Sequence, residues 1–400
     1  MPIKICFFTT EYAIPELGRS GGIGVFIKNH ARELAASGFD VFICTFSAKP
    51  KIFNDGLVKI TVIKDLSHYL HRLKEGYRKS RIPGYITFKV FLSYLNRKYI
   101  SIKFEAYLKE NKIDIIELND YGGYPTYFKT QLPVVIRCHG SATVLYKFFG
   151  YSKRAADVPF EEILFKRYAN NVIGVSQYSA DTSHDAFKLT LRPKVIYNGI
   201  DLPAVTSTVD NNYIAPPTIP FSVFYFGAIR ERKGIDLAAK VFNQIIKLFP
   251  NATFHVSGSD NNKHWQNVEK EILSAQALSN TTYYGEIENS RINEHLKKAH
   301  LVLFPSYGEN FSMALLEVMA LGKIVVTSAI PSYKEIVNDG VNGFIADAEK
   351  DYVQIISANF KKEKNLAEIS SQAKKTIKSR FSMDKVLKEN IEYYKALINK

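Results

Sequence analysis

Short apolar runs alternate with stretches of helical periodicity along almost the whole chain. Lys4 to Thr10 is an apolar run ending in threonines, which predicts a buried strand. The glycine loop Gly18-Arg19-Ser20-Gly21-Gly22-Ile23-Gly24 comes next. Val25, Phe26, Ile27, Ala31, Leu34 and Ala35 then recur at helical spacing up to Ser37, where Gly38 ends the helix. Phe39 to Phe46 is the next apolar run. Strand, turn, helix and strand in that order make a βαβ unit, which requires a right-handed parallel crossover. Residues 113–118, 134–138, 171–176 and 194–197 read as further strands. Between Asp201 and Pro220 the pattern breaks: Pro203, Pro216, Pro217 and Pro220 lie among Ser, Thr, Asp and Asn, the composition of a linker. Ser222 to Gly227 starts a new strand, and alternation resumes through 252–258, 281–285, 301–305 and 323–328. The expected fold class is therefore α/β, with two doubly wound halves. The first spans 1–202, a linker 203–220, and the second 221–382. The helix from Met383 to Ile398 carries Val386, Leu387, Ile391, Tyr394 and Leu397 on one face, so segment 383–400 is a candidate to pack back on the first half.

Composition agrees with this division. Of 400 residues, 46 % are hydrophobic and 23 % charged, and no apolar run approaches the ~18 residues that would span a bilayer. The opening Met1-Pro2-Ile3-Lys4-Ile5-Cys6-Phe7-Phe8 turns polar at Thr9, as a first strand does and a signal peptide does not. Cys6, Cys44 and Cys138 each sit in an apolar run, with no CxxC and no Cys/His cluster. Buried free thiols in a reducing cytosol are expected. The net charge is +14, and Lys59 to Lys112 holds 13 Lys/Arg against 4 Asp/Glu, a surplus of +9. Tyr69, Tyr77, Tyr85, Phe88, Phe91, Tyr94, Tyr99, Phe104 and Tyr107 are interleaved with these cations. Such a segment suits nucleic acid, an anionic membrane surface, or a solvated helical face above its own buried stripe.

In an open parallel sheet, ligands bind beyond the carboxyl ends of the strands, and four candidates lie directly after strands here. Gly21 to Gly24, with Gly22 and Gly24 at its centre, lets backbone amides approach a phosphate at the head of a helix, although a structural turn looks the same. Arg230 and Lys233, in Gly227-Ala228-Ile229-Arg230-Glu231-Arg232-Lys233-Gly234, are cations at a helix N-terminus, for which a diphosphate is the natural guest. Pro305 to Glu317 is the most specific. Glu309 stands at the loop edge and Glu317 just over a turn inside a helix starting near Phe311, so the two can hold two polyol groups of one extended ligand, a hexose and a ribose. Backbone amides at that helix start would lie near the phosphates between them. His139, in Arg137-Cys138-His139-Gly140, ends a strand of the first half.

Taken together, Gly21 to Gly24, Asn198-Gly199-Ile200-Asp201, Gly227 to Gly234, the glutamate pair Glu309 and Glu317, and Asn342-Gly343-Phe344 resemble the retaining glycosyltransferases of family 4. The resemblance runs over nearly the whole chain. It implies the GT-B fold, two Rossmann-like domains facing a central cleft. It also implies that Arg230 and Lys233 hold the donor diphosphate, that Glu309 faces the donor sugar and Glu317 the ribose, and that Asn310, Phe311, Ser312 and Met313 offer backbone amides. By the same resemblance Gly22 and Gly24 close on the phosphates and acceptor, His139 sits beside the donor sugar, and the backbone of Gly285-Glu286-Ile287 meets the base. One departure is Ser312, where the family often has glycine.

The implied reaction moves a sugar from a UDP-, GDP- or ADP-sugar to a glycan or lipid-linked acceptor, with retention, as in cell-envelope polysaccharide or lipopolysaccharide synthesis. No paired-aspartate motif for a metal is found, so metal independence and no further cofactor are expected. The basic segment 59–112 is expected to meet an anionic membrane surface, making the enzyme cytoplasmic and peripheral to the inner face of the plasma membrane. Rival readings are an epimerase or phosphorylase of the same fold, and a nucleic-acid-binding protein. The last leaves Glu309 and Glu317 unexplained, because carboxylates repel phosphates.

Overall fold

The computed structural model describes residues 2–18, 20–80, 83–150, 156–202, 220–287, 289–360 and 365–399. The expected linker 203–220 lies outside them apart from Pro220, as does Arg19 of the glycine loop. The chain forms two compact units, Met1–Gly199 with Val386–Lys400, and Ile200–Lys385. These boundaries fall two or three residues from 202 and 382. The reason is local: Ile200 donates its N–H to the Phe381 carbonyl (3.0 Å) and accepts from the Met383 N–H (2.9 Å), which ties both crossings to the second unit.

The first unit is built on an eight-stranded sheet in the order β3-β4-β2-β1-β5-β6-β7-β8. Its strands are β1 Lys4–Phe8, β2 Asp40–Ser47, β3 Lys51–Asp55, β4 Val58–Lys64, β5 Ile115–Asn119, β6 Val134–Cys138, β7 Val172–Gly174 and β8 Lys194–Val195. All pairs are parallel except β3 with β4, a hairpin that periodicity does not single out. Side chains alternate across each strand. Ile5 and Phe7 enter one core with Phe26 and Leu34 of helix α1 (Gly22–Ala36). Cys6 and Phe8 enter the opposite core with Phe104 and Leu108 of helix α3 (Tyr85–Asn111), which comes after helix α2 (Ser67–Ser80). Helices α4 (Ala142–Phe148), α5 (Val158–Tyr168) and α6 (Gln177–Phe187) complete the unit's longer helices.

Val386, Leu387, Tyr394 and Leu397 of the C-terminal helix Met383–Ile398 join the α1 core. A buried polar cluster fixes that helix. Arg137 lies against Glu117 (Nε to Oε1, 2.7 Å), Tyr394 donates its hydroxyl to Glu117 Oε2 (2.6 Å), and Arg137 also donates to Asn390. Removing one partner would strand a buried charge.

The second unit carries a six-stranded, all-parallel sheet in the order β11-β10-β9-β12-β13-β14. Its strands are β9 Ser222–Phe226, β10 Thr253–Ser257, β11 Thr281–Tyr283, β12 Leu301–Phe304, β13 Ile324–Ser328 and β14 Phe344–Ala346. The helix after β9, α7 (Ile235–Leu248), buries Ile235, Ala238, Val241, Phe242, Ile245 and Ile246 against the sheet. The helix after β12, α8 (Met313–Ala320), presents Leu315, Leu316, Val318 and Met319 inward.

Candidate active site

In the second unit, β9 leads through Gly227 into a 3₁₀ turn, Glu231–Lys233, before α7. Gly234 ends the turn at φ 73°, and a Cβ there would overlap the Pro305 carbonyl oxygen at the end of β12. Only glycine permits that approach. The contact is reinforced by the Tyr307 N–H, which donates to the Arg232 carbonyl (2.9 Å), and by the Arg232 guanidinium, which donates to the Gly308 carbonyl. The two loops thereby bring Lys233 into an ion pair with Glu309, and Arg232 Nη1 lies 3.5 Å from the same carboxylate oxygen. The Glu309 side chain is 9 % exposed, so this is a shielded pair. Arg230 is exposed at the start of the turn. The sequence does not single out Arg232, because nothing in an Arg-Glu-Arg-Lys run says which arginine turns inward.

Helix α8 begins at Met313 rather than near Phe311. Ser312 is extended (φ −107°, ψ 102°) and its hydroxyl accepts the Leu315 N–H at 3.3 Å, so it is the helix cap. The serine that departs from the family's frequent glycine thus has a structural task. Phe311 tilts against Phe381 with ring centres 5.8 Å apart, and Asn310 and Met313 are partly buried beside it. The first-turn amides of α8 have no partner within the helix and sit at the positive end of its dipole. Glu317, the fifth residue of α8, has its carboxyl pushed up to about 7 by burial.

The strand ends beside these groups carry glycines, braced by the Tyr283 hydroxyl on the Gly258 carbonyl (2.9 Å) and the Ser257 hydroxyl on the Gly285 carbonyl (3.1 Å). Gly227 donates to the Ser257 carbonyl (3.0 Å) and Gly258 to the Gly285 carbonyl (2.9 Å), while a Cβ on Gly258 would overlap the Gly227 oxygen. Three glycines therefore line the carboxyl ends of β9, β10 and β11, with Ile287 partly buried just beyond.

In the first unit, α1 starts at Gly22, so Gly22 and Gly24 form the first helical turn and not an open loop before Val25. Gly21 is the cap, and its N–H donates to Glu11 Oε2 at 2.8 Å. A carboxylate of the chain itself thus fixes the cap residue of this helix. Two residues beyond Gly24, the Phe26 ring lies 5.4 Å from the His139 ring, so the glycine turn and His139 share one region. Asp120, at the end of β5, holds the backbone of His139 and Gly140 through their N–H groups (3.0 and 3.1 Å). Glu161 holds the next segment, accepting from the N–H groups of Ala142, Thr143 and Gly122 at 2.8–2.9 Å. Burial, with help from the Glu161 charge, pushes Asp120 up to about 7. Burial, then Arg137, lowers His139 to about 3, so its imidazole is neutral at physiological pH. Asp120 ends a strand as His139 does, and the same rule of reading strand ends could have found it. Glu161, in the first turn of α5 and away from any strand end, gives no such signal.

The basic segment divides. Phe104, Tyr107 and Arg97 are buried, Tyr77 stacks on Phe88 at 4.3 Å, and Tyr69, Leu73, Ile86 and Phe91 are exposed beside Arg72, Lys79 and Lys89. No helix among the described residues is long and apolar enough to cross a membrane. Nor does any group of three or more His, Cys, Asp or Glu among the described residues form a metal site.

Two family models match in succession along the chain, "Glycosyltransferase Family 4" over residues 20–203 and "Glycosyl transferases group 1" over residues 213–376. A protein of Methanocaldococcus jannaschii described as an uncharacterized glycosyltransferase is 24 % identical, over 98 % of both chains. Sucrose-phosphate synthase from Thermosynechococcus elongatus superposes with a TM-score of 0.75 at 16 % identity, over 99 % of both chains. Anabaena HepE in complex with UDP-glucose does so with a TM-score of 0.69 at 17 % identity, over 98 % of this chain and 100 % of that one. The fold is GT-B, and the chain is an enzyme that belongs to the glycosyltransferases of family 4.

Proposed function

We propose that this glycosyltransferase takes its sugar from a nucleoside-diphosphate sugar and transfers it, with retention of configuration, to a glycan or lipid-linked acceptor. The observation that carries the proposal is the shielded Lys233–Glu309 pair beside the head of α8. Cation, carboxylate and the positive end of the α8 dipole stand together, as a diphosphate and a sugar hydroxyl adjacent in one ligand would require. The solved HepE complex holds UDP-glucose, a ligand of this type, in the same fold.

Breaking the glycosyl–phosphate bond places negative charge on the leaving diphosphate. Lys233, Arg232, Arg230 and the α8 dipole are the groups that would stabilise it more in the transition state than in the ground state. These charges supply what a metal would otherwise supply, and metal-independent transfer is part of the proposal. Glu309 would hold the donor sugar's hydroxyls and Glu317 the ribose. Asn310, Phe311, Ser312 and Met313 would contribute main-chain contacts, and Gly285 to Ile287 would meet the base. Neutral His139, and the first turn of α1 at Gly22 and Gly24, would serve the sugar and acceptor as hydrogen-bonding groups. Thermal shift against UDP, GDP, ADP and their sugars, followed by donor-hydrolysis assays, tests the reading. No stabilisation by any nucleotide would overturn it.

The exposed apolar residues and cations of α2 and α3 favour a lipid surface as the setting, with the enzyme peripheral on the cytoplasmic face of a membrane and acting on envelope glycans. Each surface cation contributes about 1 kcal/mol near anionic lipid. Sedimentation with anionic and neutral vesicles at low and moderate salt tests this, and equal, salt-insensitive recovery in the supernatant refutes it.

A further inference from the structure

Two carboxyl groups, Asp120 and Glu161, are wholly buried behind the loop that carries His139. They grip successive stretches of its backbone. Asp120 takes the first two N–H groups past β6, those of His139 and Gly140 (3.0 and 3.1 Å). Glu161 takes the next: its Oε1 accepts from the Ala142 N–H (2.9 Å), and its Oε2 from the Thr143 N–H and hydroxyl (2.8 and 2.7 Å). Ser141, between the two stretches, caps α4 through its own hydroxyl on the Val144 N–H (3.1 Å).

Glu161 also reaches a second segment. Its Oε1 accepts the Gly122 N–H (2.9 Å) in the turn Tyr121–Gly123, which follows Asp120 directly. That turn is packed hard against α5. Gly123 has φ 60°, and a Cβ there would overlap the Phe160 carbonyl carbon. The Gly122 carbonyl accepts from Arg97 (2.9 and 2.6 Å), whose guanidinium pairs with Asp157 at the head of α5. One carboxylate therefore joins α5, the turn beside Asp120 and the loop that carries His139.

The two carboxyls differ in what their oxygens hold. Glu161 accepts four donors, two on each oxygen, which fills its lone pairs and marks it as the ionised member. Asp120 Oδ2 has only a share of the Gly140 N–H (3.1 Å), which leaves room for a proton. Among the described residues neither forms an ion pair, since Arg97 and Arg137 are committed to Asp157 and Glu117. Asp120 is faced by Glu161 from α5 and by Cys138 and His139 from β6 and its end. Burial keeps that thiol protonated and that imidazole neutral, so Glu161 is the charge Asp120 meets.

Resting on the glycosyltransferase reading, we infer that Glu161 is a positioning residue for sugar transfer, its buried carboxylate locking the 139–143 backbone to the turn after β5 and holding a proton on the neighbouring Asp120.

Donor hydrolysis by the full chain tests this, with UDP-glucose, GDP-glucose and ADP-glucose as probes and the one cleaved fastest carried forward. Ionised Asp120 accepts from the His139 and Gly140 N–H groups more strongly than protonated Asp120 does. At saturating donor, kcat should therefore rise as pH rises through about 7, and Asp120→Asn should abolish that limb. Glu161→Gln should lower the kcat plateau tenfold or more and, by removing the charge beside Asp120, move the limb to lower pH. Glu161→Asp keeps the charge one methylene short, so it should lower the plateau and leave the limb in place. Whichever of UDP, GDP and ADP binds the unsubstituted chain should bind all three variants within twofold, because the nucleotide is assigned to the second unit; this also reports their folding. An unshifted limb in Glu161→Gln marks a merely structural role and overturns the inference, as does a plateau within threefold of the unsubstituted enzyme. If Glu161→Gln loses nucleotide binding, Glu161→Asp decides in its place, and a plateau within threefold overturns the inference there. Failure of every nucleotide to bind the unsubstituted chain would instead overturn the reading on which it rests.

Discussion

Replacing Lys233 by alanine separates catalysis from folding more cleanly than any other change in the second unit. The substitution removes the ammonium paired with Glu309 but leaves Arg232 Nη1 3.5 Å from that carboxylate, so Glu309 is not stranded. The main-chain groups that hold the turn also survive. The Lys233 N–H still reaches the Arg230 carbonyl (3.0 Å), and the Lys233 carbonyl still accepts from the Tyr225 hydroxyl (3.2 Å). The lysine side chain is 26 % exposed, so the lost pair is partly screened and costs about 1 kcal/mol of stability. For a unit of this size that is a Tm change of about 2–4 °C.

Transition-state stabilisation is another matter. One charged contact aimed at a developing charge in a shielded site is worth roughly 2–4 kcal/mol, which is ~30- to 1000-fold in kcat/KM. Initial rates at several donor concentrations, beside a melting curve, measure both quantities on one preparation. Lys233→Ala should be slow and well folded, and Lys233→Arg should recover part of the rate. A kcat/KM within about threefold of the unsubstituted enzyme would refute the assignment. So would a Tm loss large enough to account for the missing activity.

Other substitutions probe the supports of the same site. Because burial raises Glu317 from an ordinary 4.5 to about 7, the folded state retains a proton that the unfolded state has lost between those values. Stability therefore falls as pH rises through that window, by on the order of 1–3 kcal/mol. Glu317→Gln should flatten the Tm–pH curve between pH 5 and 7.5 and raise the donor KM; parallel curves for the two proteins would contradict the burial argument. Gly234→Ala, at φ 73° and against the Pro305 carbonyl, should destabilise by about 2 kcal/mol or more and displace the Lys233 turn, and an unchanged Tm would show that the close approach is absent. Ser312→Ala should cost about 1 kcal/mol through loss of the α8 cap and Ser312→Gly only a few tenths, an order that denaturant midpoints will resolve; equal losses would refute the capping role.

The architecture is legible where a segment's burial depends on its own residues alone. The run 134–138, apolar except for Arg137, predicts a strand, and β6 is found at Val134–Cys138, because a strand buried on both faces reads as a near-continuous apolar run, with Arg137 accommodated by its pair with Glu117. The C-terminal helix is equally clear from its 3.6-residue stripe. The β3–β4 hairpin escapes such a reading because Lys51, Ile52 and Phe53 at the sheet edge are mostly exposed, and an edge strand needs no apolar pattern. Expected helix starts differ from the observed ones in both directions for one reason. Gly22 and Gly24 weigh against a helix by propensity, yet α1 begins at Gly22. Phe311 looks like a helical position, yet the Ser312 cap delays α8 to Met313.

Site residues are legible as types at strand ends, and opaque as pairs. Lys233 and Glu309 each stand out by lying just past the end of a strand, but their meeting depends on Gly234 passing the end of β12, a contact between segments more than 70 residues apart in sequence. The same limit governs the charges of the basic segment. Thirteen cations against four acids between Lys59 and Lys112 is a property of composition. Folding partitions it, because Arg97 can be buried only with Asp157 and two aromatic rings around it. Once that pair forms, Arg97 no longer contributes to surface attraction. Lys79, Lys89 and Arg72 remain in solvent, and Lys74 is left between the two populations, too covered to be fully hydrated and without a carboxylate of its own among the described residues. A count of charge cannot distinguish these three situations, because it is the fold that decides which cation is paired, which is partly covered and which stays in water.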